Sequence, residues 1–298
     1  MDFSGMFYSC PNMKTIPLLA TKNGTTFSSM FSNCRNLETV PLLNTEKGTD
    51  FSSMFEACEK LKSVPQFNTS NNTTCYRMFK NCYLLETVPL FNTSKCTKFS
   101  YMFENCKAFK TAPLFDTSSG TSFDYMFYGC LSLETVPQFN TSNATTFYNM
   151  FYGCSQLETI PILKSSKVSN FGFMFYRCTA LKSVPLLDLS SGTSFNSMFS
   201  GCSSLETVSF TTAKSALSSS TFENCTALTN VSIGQGWSVS IYLNYSNNLT
   251  VECLHKMIDN LADLTGKTAM KFQIGSTNLA KIDDEHLTML QSKNWNYS

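Results

Sequence analysis

Residues 27–50, FSSMFSNCRNLETVPLLNTEKGTD, and residues 51–74, FSSMFEACEKLKSVPQFNTSNNTT, are two copies of one 24-residue unit. Outward from these copies, cysteine recurs at every 24th position from Cys10 to Cys202, and Cys225 follows one residue early. Because the other columns of the unit align with the cysteines, about ten copies can be counted. Repetition of this kind predicts a solenoid, in which each copy forms one rung and adds to a continuous core.

The apolar positions of the unit predict the local structure of a rung. Phe27, Met30, Phe31 and Cys34 are spaced at 0, 3, 4 and 7 residues. This spacing places four side chains on one face of a helix. We therefore expect one or two helical turns in each rung, α or 3₁₀, with the apolar face directed at the core.

A short extended segment is expected after the helical turns. Leu37 to Val40 has this character, and a polar turn then returns the chain to the next Phe. Pro41 follows directly, and because proline has no backbone N–H we place it at a corner where the strand ends. The predicted fold class is an α/β repeat solenoid, a leucine-rich-repeat-like, right-handed coil with short parallel strands and helical turns.

One charged column is expected to control the register of the stack. In register, most charges in this column lie beside an opposite charge on the next rung, whereas a slip of one rung opposes like charges. The column reads Lys14, Glu38, Lys62, Glu86, Lys110, Glu134, Glu158, Lys182 and Glu206.

The repeat fades after Cys202, which divides the chain into a solenoid of residues 1–232 and a capping segment of residues 233–298. The cap is predicted to be a small αβα unit, with a helix over 250–264, a strand around 270–274 and a helix over about 283–292. Its first helix is expected to bury one face and to end before Gly266. That face carries Val251, Leu254, Ile258 and Leu261. No equivalent cap precedes the first rung, so we expect a truncated start with more chain upstream; self-association there is the alternative.

The unit M-F-x-x-C-x-x-L-x-x-V-P, as it stands from Met30 to Pro41, resembles the BspA-like leucine-rich repeats of bacterial surface proteins and lipoproteins. The resemblance covers residues 3–232. The tail segments NLADLTGKTA (260–269) and STNLAKIDDEH (276–286) resemble the segment that follows such repeats in proteins of gut bacteria and their phages. The chain departs from the commoner repeat, in which Ile-x-Ile precedes the proline. The resemblance implies a curved solenoid for adhesion or protein binding at a cell surface, and it carries over no catalytic residues.

Composition and motifs argue against several classes of function. Lys plus Arg number 22 against 21 Asp plus Glu, so there is no electrostatic basis for binding nucleic acid or an anionic membrane. No apolar run approaches the roughly 18 residues of a membrane span. Nucleophile elbows, phosphate-binding loops and zinc-type Cys/His spacings are absent, and the two histidines, His255 and His286, lie in the cap. We expect no enzyme, no cofactor and no metal.

The 13 cysteines are expected to be mainly structural. The cysteines of the repeated column complete an apolar face, which predicts a ladder of small buried thiols. Cys75 replaces the first Phe of the unit and Cys96 stands in the column of Gly24, so a bridge between these two stays open.

Aromatic residues occupy columns that the helical arrangement directs to solvent, and they are the candidate ligand-binding residues. Exposed aromatic patches mark binding surfaces, although packing of each tyrosine against its stacked neighbour is an alternative explanation. The candidates are Tyr76, Tyr101, Tyr125, Tyr128, Tyr148, Tyr152, Phe173 and Tyr176.

Two functions remain open on the sequence. The first is a non-catalytic binding or adhesion module of a bacterial cell-surface or secreted protein that recognises a protein or a glycan. The second is a structural or receptor-binding component of a phage particle or another assembly. Residues after Met1 already read as repeat, and no signal peptide precedes them.

Overall fold

The structure is a computed structural model that describes residues 1–213 and 215–298. Regular secondary structure within these residues begins only at residue 183, and the earlier rungs are built of turns and isolated parallel bridges. The elements in chain order are β1 Ser183–Leu187, β2 Thr207–Phe210, β3 Asn230–Ser232, β4 Ile241–Tyr242, α1 Val251–Asn260, β5 Met270–Gln273, α2 Gly275–Leu279, α3 Asp284–Ser292 and β6 Trp295–Tyr297.

The segment predicted to be helical forms consecutive tight turns, so the prediction of helical turns is wrong for the described rungs. The N–H of Met30 donates to the C=O of Phe27 at 3.2 Å, and the N–H of Cys34 donates to the C=O of Phe31 at 3.1 Å. Each hydrogen bond joins residues three apart and closes a four-residue turn. The bonds between residues four apart that define an α-helix do not form in these described rungs. All four side chains are nevertheless fully buried, as the spacing indicated.

Backbone hydrogen bonds to the next rung explain why turns replace the helix. The N–H of Ser29 donates to the C=O of Ser52 at 2.8 Å, and the N–H of Phe31 donates to Met54 at 2.9 Å. Every second donor is thereby committed to a neighbouring rung and is lost to a helical ladder. Ser29 and Asn33 have φ values of 55° and 62°, in the left-handed region that interrupts a right-handed helix.

The core is a continuous stack of equivalent side chains, and its most regular column is aromatic. The rings of Phe31 and Phe55 are 5.6 Å apart between centroids, and those of Phe55 and Phe79 are 5.5 Å apart, with interplanar angles of 15° and 6°. Offset stacking at these distances is favourable beyond the burial of area. The predicted superposition of rungs is therefore present in the structure.

Within the described rungs of the solenoid, parallel strands form only next to the rung in which the column proline is replaced. β1, β2 and β3 form one parallel sheet, with Val184 opposite Val208. Pro185 lies inside β1, so placing proline at the end of the strand is wrong for this rung. β2 has Ser209 in that column, which restores a backbone N–H. The earlier rungs keep the proline, and their ladders stay reduced to isolated bridges such as Thr111 with Thr135.

The charged column is in register, but few of its side chains touch. Lys182 Nζ lies 2.7 Å from Glu158 Oε2, and Lys110 Nζ lies 4.0 Å from Glu134 Oε1. The Glu158 carboxylate raises the pKa of Lys182 by a hydrogen bond. All four side chains are more than half exposed, so water and salt weaken these pairs. Backbone bonds and the buried stack hold the register more strongly than this column does.

The capping segment contains more elements than the predicted αβα unit. Its second sheet has the order β4, β5, β6 and is parallel throughout. α1 ends at Asn260, short of the predicted end, and Val251 is 46% exposed, so its predicted place on the buried face is wrong. Cys253 and Met257 are buried there in addition to Leu254 and Ile258.

α1 lies beside β3 and covers the open edge of the first sheet. The N–H of Val231 in β3 points at the Sγ of Cys253 at 3.2 Å, and the N–H of Thr250 donates to the C=O of Thr229 at 3.1 Å. These contacts satisfy edge groups that would otherwise be free to pair with another chain. No helix in the described parts of the chain combines the length and apolar character needed to cross a bilayer.

Candidate functional site

The structure brings all eight predicted aromatic residues together on one side of the solenoid. We call this group the aromatic flank; it consists of Tyr76, Tyr101, Tyr125, Tyr128, Tyr148, Tyr152, Phe173 and Tyr176. Each side chain is half-buried, whereas the sequence placed them in solvent. They are half-buried because rings on neighbouring rungs cover part of one another.

The longer ladder of the flank runs through five residues. Tyr101 and Tyr125 stack with centroids 4.6 Å apart and planes 13° apart. The remaining steps are edge-to-face: Tyr76 to Tyr101 at 5.7 Å, Tyr125 to Tyr148 at 5.6 Å, and Tyr148 to Phe173 at 6.0 Å. Both arrangements are favourable for aromatic pairs. The ladder is therefore a continuous surface of rings.

A shorter ladder runs beside it and consists of three parallel rings. Tyr128 and Tyr152 have centroids 4.4 Å apart, and Tyr152 and Tyr176 have centroids 4.7 Å apart. Tyr125 contacts Tyr128 at 5.5 Å and connects the two ladders. Since Tyr152 is stacked on both sides, neither face of its ring is free.

Three residues of the flank adopt a backbone conformation that bulky residues rarely take. Tyr101, Tyr125 and Phe173 have φ values of 62°, 56° and 56°. A left-handed conformation costs an L-residue about 1–2 kcal/mol, and Asn and other short polar residues accept it most readily. Ser29 and Asn149 fill the same column of other rungs. Serine or asparagine would therefore occupy this column with less backbone strain than an aromatic residue does.

Basic residues lie at both ends of the flank. The guanidinium of Arg77 is 4.9 Å from the ring centre of Tyr76, and that of Arg177 is 5.3 Å from Tyr176. Both distances allow a cation–π interaction. The chain has only three arginines, and the flank holds two of them. This concentration could be found in the sequence only by noting which columns the arginines occupy.

The Tyr76 end of the flank carries an ion pair with little exposure to water. Lys80 Nζ lies 2.9 Å from Glu104 Oε2, and their side chains are only 19% and 12% exposed. Lys80 Nζ is also 5.1 Å from the ring centre of Tyr101. The pair neutralises the charge beneath the rings, so the phenols and the arginines dominate the surface chemistry.

The phenols of Tyr125 and Tyr128 stay protonated at physiological pH. Partial burial, together with the nearby Tyr148 and Tyr101 phenols, raises the pKa of Tyr125 to about 12. Burial also raises the pKa of Tyr128, with Tyr152 adding to the effect. Neutral phenols both donate and accept hydrogen bonds, which suits polar groups on a partner.

A second surface feature escaped the sequence reasoning. The residue after each column proline is exposed, and it is aliphatic in six of eight rungs. We call these residues the aliphatic row; they are Leu18, Leu42, Leu90, Leu114, Ile162 and Leu186, with exposures from 54% to 77%. Gln66 and Gln138 occupy the other two rungs. The sequence signal for this row is an exposed apolar residue beside a buried one, as in Leu42 and Leu43, because side chains alternate between the two faces of an extended segment.

The column cysteines are thiol donors. Cys82 Sγ donates to the C=O of Phe55 at 3.0 Å, and Cys106 Sγ donates to the C=O of Phe79 at 3.1 Å. Burial raises the pKa of both thiols, so they are neither nucleophiles nor metal-binding thiolates. The predicted ladder of buried thiols is observed, with a hydrogen-bonding role in addition to packing.

One group of metal-ligating side chains exists among residues 1–213 and 215–298, and the sequence did not predict it. The rings of His255 in α1 and His286 in α3 stack at 3.7 Å. Asp283 places Oδ1 2.7 Å from His286 Nδ1 and Oδ2 3.5 Å from His255 Nε2. The three ligand atoms lie within 4.8 Å of one another. Asp283 also accepts the N–H of His286, which lowers the pKa of Asp283 and caps α3. Helix capping and joining of the two helices account for this arrangement.

Comparisons with known proteins place the repeat in a family. The model described as "Mycoplasma protein of unknown function, DUF285" matches residues 1–114, 85–185 and 160–260. No curated protein matches the chain.

Solved structures that resemble the chain are leucine-rich repeat proteins. A leucine rich cell surface protein of Faecalibacterium prausnitzii A2-165 is 18% identical over 77% of this chain and 75% of its own, with a TM-score of 0.38. A leucine-rich repeat protein of Bacteroides ovatus ATCC 8483 is 15% identical over 97% and 92%, with a TM-score of 0.30. The TLR13–ssRNA13 complex shows 13% identity over 85% and 45%, with a TM-score of 0.29.

Proposed function

The chain belongs to the DUF285 family of BspA-like leucine-rich repeat proteins, and from that premise we propose that it is a non-catalytic binding module of a bacterial cell-surface or secreted protein. We assign the aromatic flank as its ligand-binding surface and a protein as its ligand. The single observation that carries this proposal is the aromatic occupancy of a left-handed backbone position in three of four successive rungs, by Tyr101, Tyr125 and Phe173. Since Ser29 and Asn149 satisfy the same backbone, the aromatic side chains have a role other than forming the rung.

The composition of the flank supports a protein partner. Tyr and Arg are the residue types that most often dominate the energy of protein interfaces. Tyrosine also offers a large contact area while losing little conformational entropy. In the flank, neighbouring rings already hold one another in place, which lowers the entropy cost of binding further.

The arrangement of the rings favours a protein over a glycan. Sugar recognition by aromatic residues commonly uses an open ring face, and both faces of Tyr152 are covered by Tyr128 and Tyr176. Ring edges and hydroxyl groups remain for contact. These suit the hydrogen-bonding groups and side chains of a polypeptide.

A triple substitution tests the proposal. Tyr125→Ser, Tyr128→Ser and Tyr152→Ser together introduce the residue that the first rungs carry at two of these columns, as Ser29 and Ser32. A displayed library of random peptides is selected on the wild-type protein, and the selected peptides are then measured on the variant. We expect at least about a 30-fold loss of affinity, because interface hot spots each contribute about 2 kcal/mol or more.

A matched variant on the aliphatic row gives the control. Leu42→Gln, Leu90→Gln and Leu114→Gln introduce the residue already present at Gln66 and Gln138. The selected peptides should bind this variant as they bind the wild type. Loss of binding in the glutamine variant alone would move the site to the aliphatic row. A parallel glycan array that shows Tyr-dependent sugar binding, without peptide selection, would keep the flank and reject the protein ligand.

A further inference from the structure

Two cysteines, Cys75 and Cys96, depart from the repeat pattern at neighbouring positions of the core. Gly24 lies between two phenylalanines: an added Cβ would lie 2.4 Å from Cζ of Phe27 and 3.0 Å from Cδ2 of Phe3. Cys96 occupies this glycine column, and Cys75 replaces the earlier of its two phenylalanines. The smaller residue at 75 makes room for the larger residue at 96. The two substitutions therefore compensate for each other at one point of the core.

The missing ring interrupts the aromatic stack at this rung. Phe27 and Phe51 stack at 5.3 Å, and the stack resumes between Phe99 and Phe123 at 5.3 Å. Asn72 and the two cysteines fill the gap. The Nδ2 of Asn72 donates to Cys96 Sγ at 3.3 Å and to Cys75 Sγ at 3.7 Å. A polar amide and two sulfur atoms thus replace a phenyl ring.

The two sulfur atoms are in direct contact. Cys75 Sγ lies 2.7 Å from Cys96 Sγ, and both side chains are buried. A disulfide bond is about 2.05 Å long, so a small movement of the side chains brings the two atoms to bonding distance. Cys75 begins the 24-residue unit of residues 75–98, and Cys96 lies near the end of the same unit.

The other thiols of the solenoid have a different partner. Cys58 Sγ donates to the C=O of Phe31 at 3.2 Å, and Cys130 Sγ donates to that of Phe103 at 3.0 Å. Each column thiol from Cys34 to Cys225 donates to a carbonyl of the preceding rung. Cys75 and Cys96 alone, among the described cysteines, have another cysteine sulfur as a hydrogen-bonding partner.

We propose that Cys75 and Cys96 form a disulfide bond that closes one turn of the solenoid. The oxidant is a disulfide from the surroundings, such as oxidised glutathione or the disulfide of a thiol oxidoreductase. Its S–S bond breaks and the Sγ–Sγ bond forms. Two electrons and the two thiol protons pass to the sulfur atoms of the oxidant, which leaves as two thiols.

The bond forms while this turn is still open. In the folded chain, burial raises the pKa of Cys75 well above its ordinary value. The thiolate is the species that attacks a disulfide, and solvent does not reach these sulfur atoms. The same burial protects the finished bond from reductants. A cross-link over about 20 residues shifts the unfolding equilibrium roughly 100-fold toward the folded state.

Mass spectrometry of refolded protein tests the proposal. The full chain is refolded with oxidised and reduced glutathione, denatured in a thiol-blocking reagent, and digested. We expect 11 of the 13 cysteines to carry the blocking group. One cross-linked peptide should contain Cys75 and Cys96, and its mass should be lower by two hydrogen atoms. Labelling of all 13 cysteines, or a bridge between column cysteines, would overturn the proposal.

A variant that restores the repeat pattern provides the stability control. Asn72→Gly with Cys75→Phe and Cys96→Gly recreates the arrangement seen at Gly24, Phe27 and Gly48. Wild-type protein refolded under reducing conditions should be destabilised about 100-fold in its unfolding equilibrium relative to oxidised protein. The unfolding equilibrium of the variant should be the same with and without the reductant. Equal responses of the two proteins would also reject the bond.

Discussion

At the scale of residues, packing in the core depends on pairs of small and large side chains that contact one another, such as a glycine and a phenyl ring. Gly120 leaves room for the ring of Phe123, which stacks on Phe99 at 5.3 Å and 2°. Where Ala144 replaces this glycine, the ring of Phe147 stands at 64° to that of Phe123. One added methyl group therefore coincides with a rotated ring. The column tolerates both arrangements because a T-shaped contact is also favourable.

This pairing predicts the effect of filling one glycine position. In Gly120→Ala, the new Cβ would lie 2.7 Å from Cζ of Phe123 and 3.0 Å from Cε2 of Phe99. Overpacking of this kind should lower the free energy of unfolding by about 1–3 kcal/mol, measured by urea denaturation. Ala144→Gly in the same column is the comparison, and it should cost no more than about 1 kcal/mol. Unchanged stability of Gly120→Ala would show that the ring moves freely.

At the scale of elements, backbone donors decide between turn and strand. The prolines of the repeat remove one N–H from each rung, and the ladder between these rungs is reduced to isolated bridges. Ser209 restores that donor in β2, and three consecutive rungs there form a parallel sheet. The register between β1 and β2 is irregular between Val184 and Leu187, the stretch that contains Pro185. Within the solenoid, the sheet therefore begins at the last rung that keeps the column proline and continues where serine replaces it.

Restoring the proline of the repeat should therefore dissolve this sheet. In Ser209→Pro, one ladder donor is lost between β1 and β2, at a cost of about 1–3 kcal/mol. Hydrogen exchange measured by mass spectrometry should become faster in residues 183–187 and 207–210. Pro137→Ser adds a donor in an earlier rung and should slow exchange there. Unaltered exchange in both variants would contradict the role given to the proline column.

At the scale of the whole molecule, the solenoid separates stability from binding. The core is buried in every interior rung, while the aromatic flank and the aliphatic row lie outside it. Each rung contacts mainly its neighbours, so the surface can change without moving the core. The far end is closed by α1, which packs against β3 and α3. That cover keeps the sheet edge from pairing with another chain.

Detaching the cap helix should convert the edge into an association site. Leu254→Asp with Ile258→Asp places charges on the buried face of α1. We expect concentration-dependent oligomers in size-exclusion chromatography, because β3 would then offer unpaired backbone groups. Val251→Asp on the exposed side of the same helix is the control and should elute as the wild type does. A double variant that elutes identically to wild type would show that α1 is not needed to protect the edge.

The sequence alone determined the repeat and the inward columns. Phe27, Met30, Phe31 and Cys34 are buried as their spacing indicated, because burial depends on a periodicity that the chain carries locally.

The backbone conformation of these residues was decided by the tertiary structure. Spacings of 0, 3, 4 and 7 fit a helix and equally fit four-residue turns, and the choice rests on donors such as the N–H of Ser29 meeting carbonyls in the next rung. For the same reason, only the stacked rungs could show that the tyrosines cover one another, that His255 meets His286, and that Cys75 contacts Cys96. Contacts between distant residues depend on how each turn lies on the next, and no local pattern specifies that.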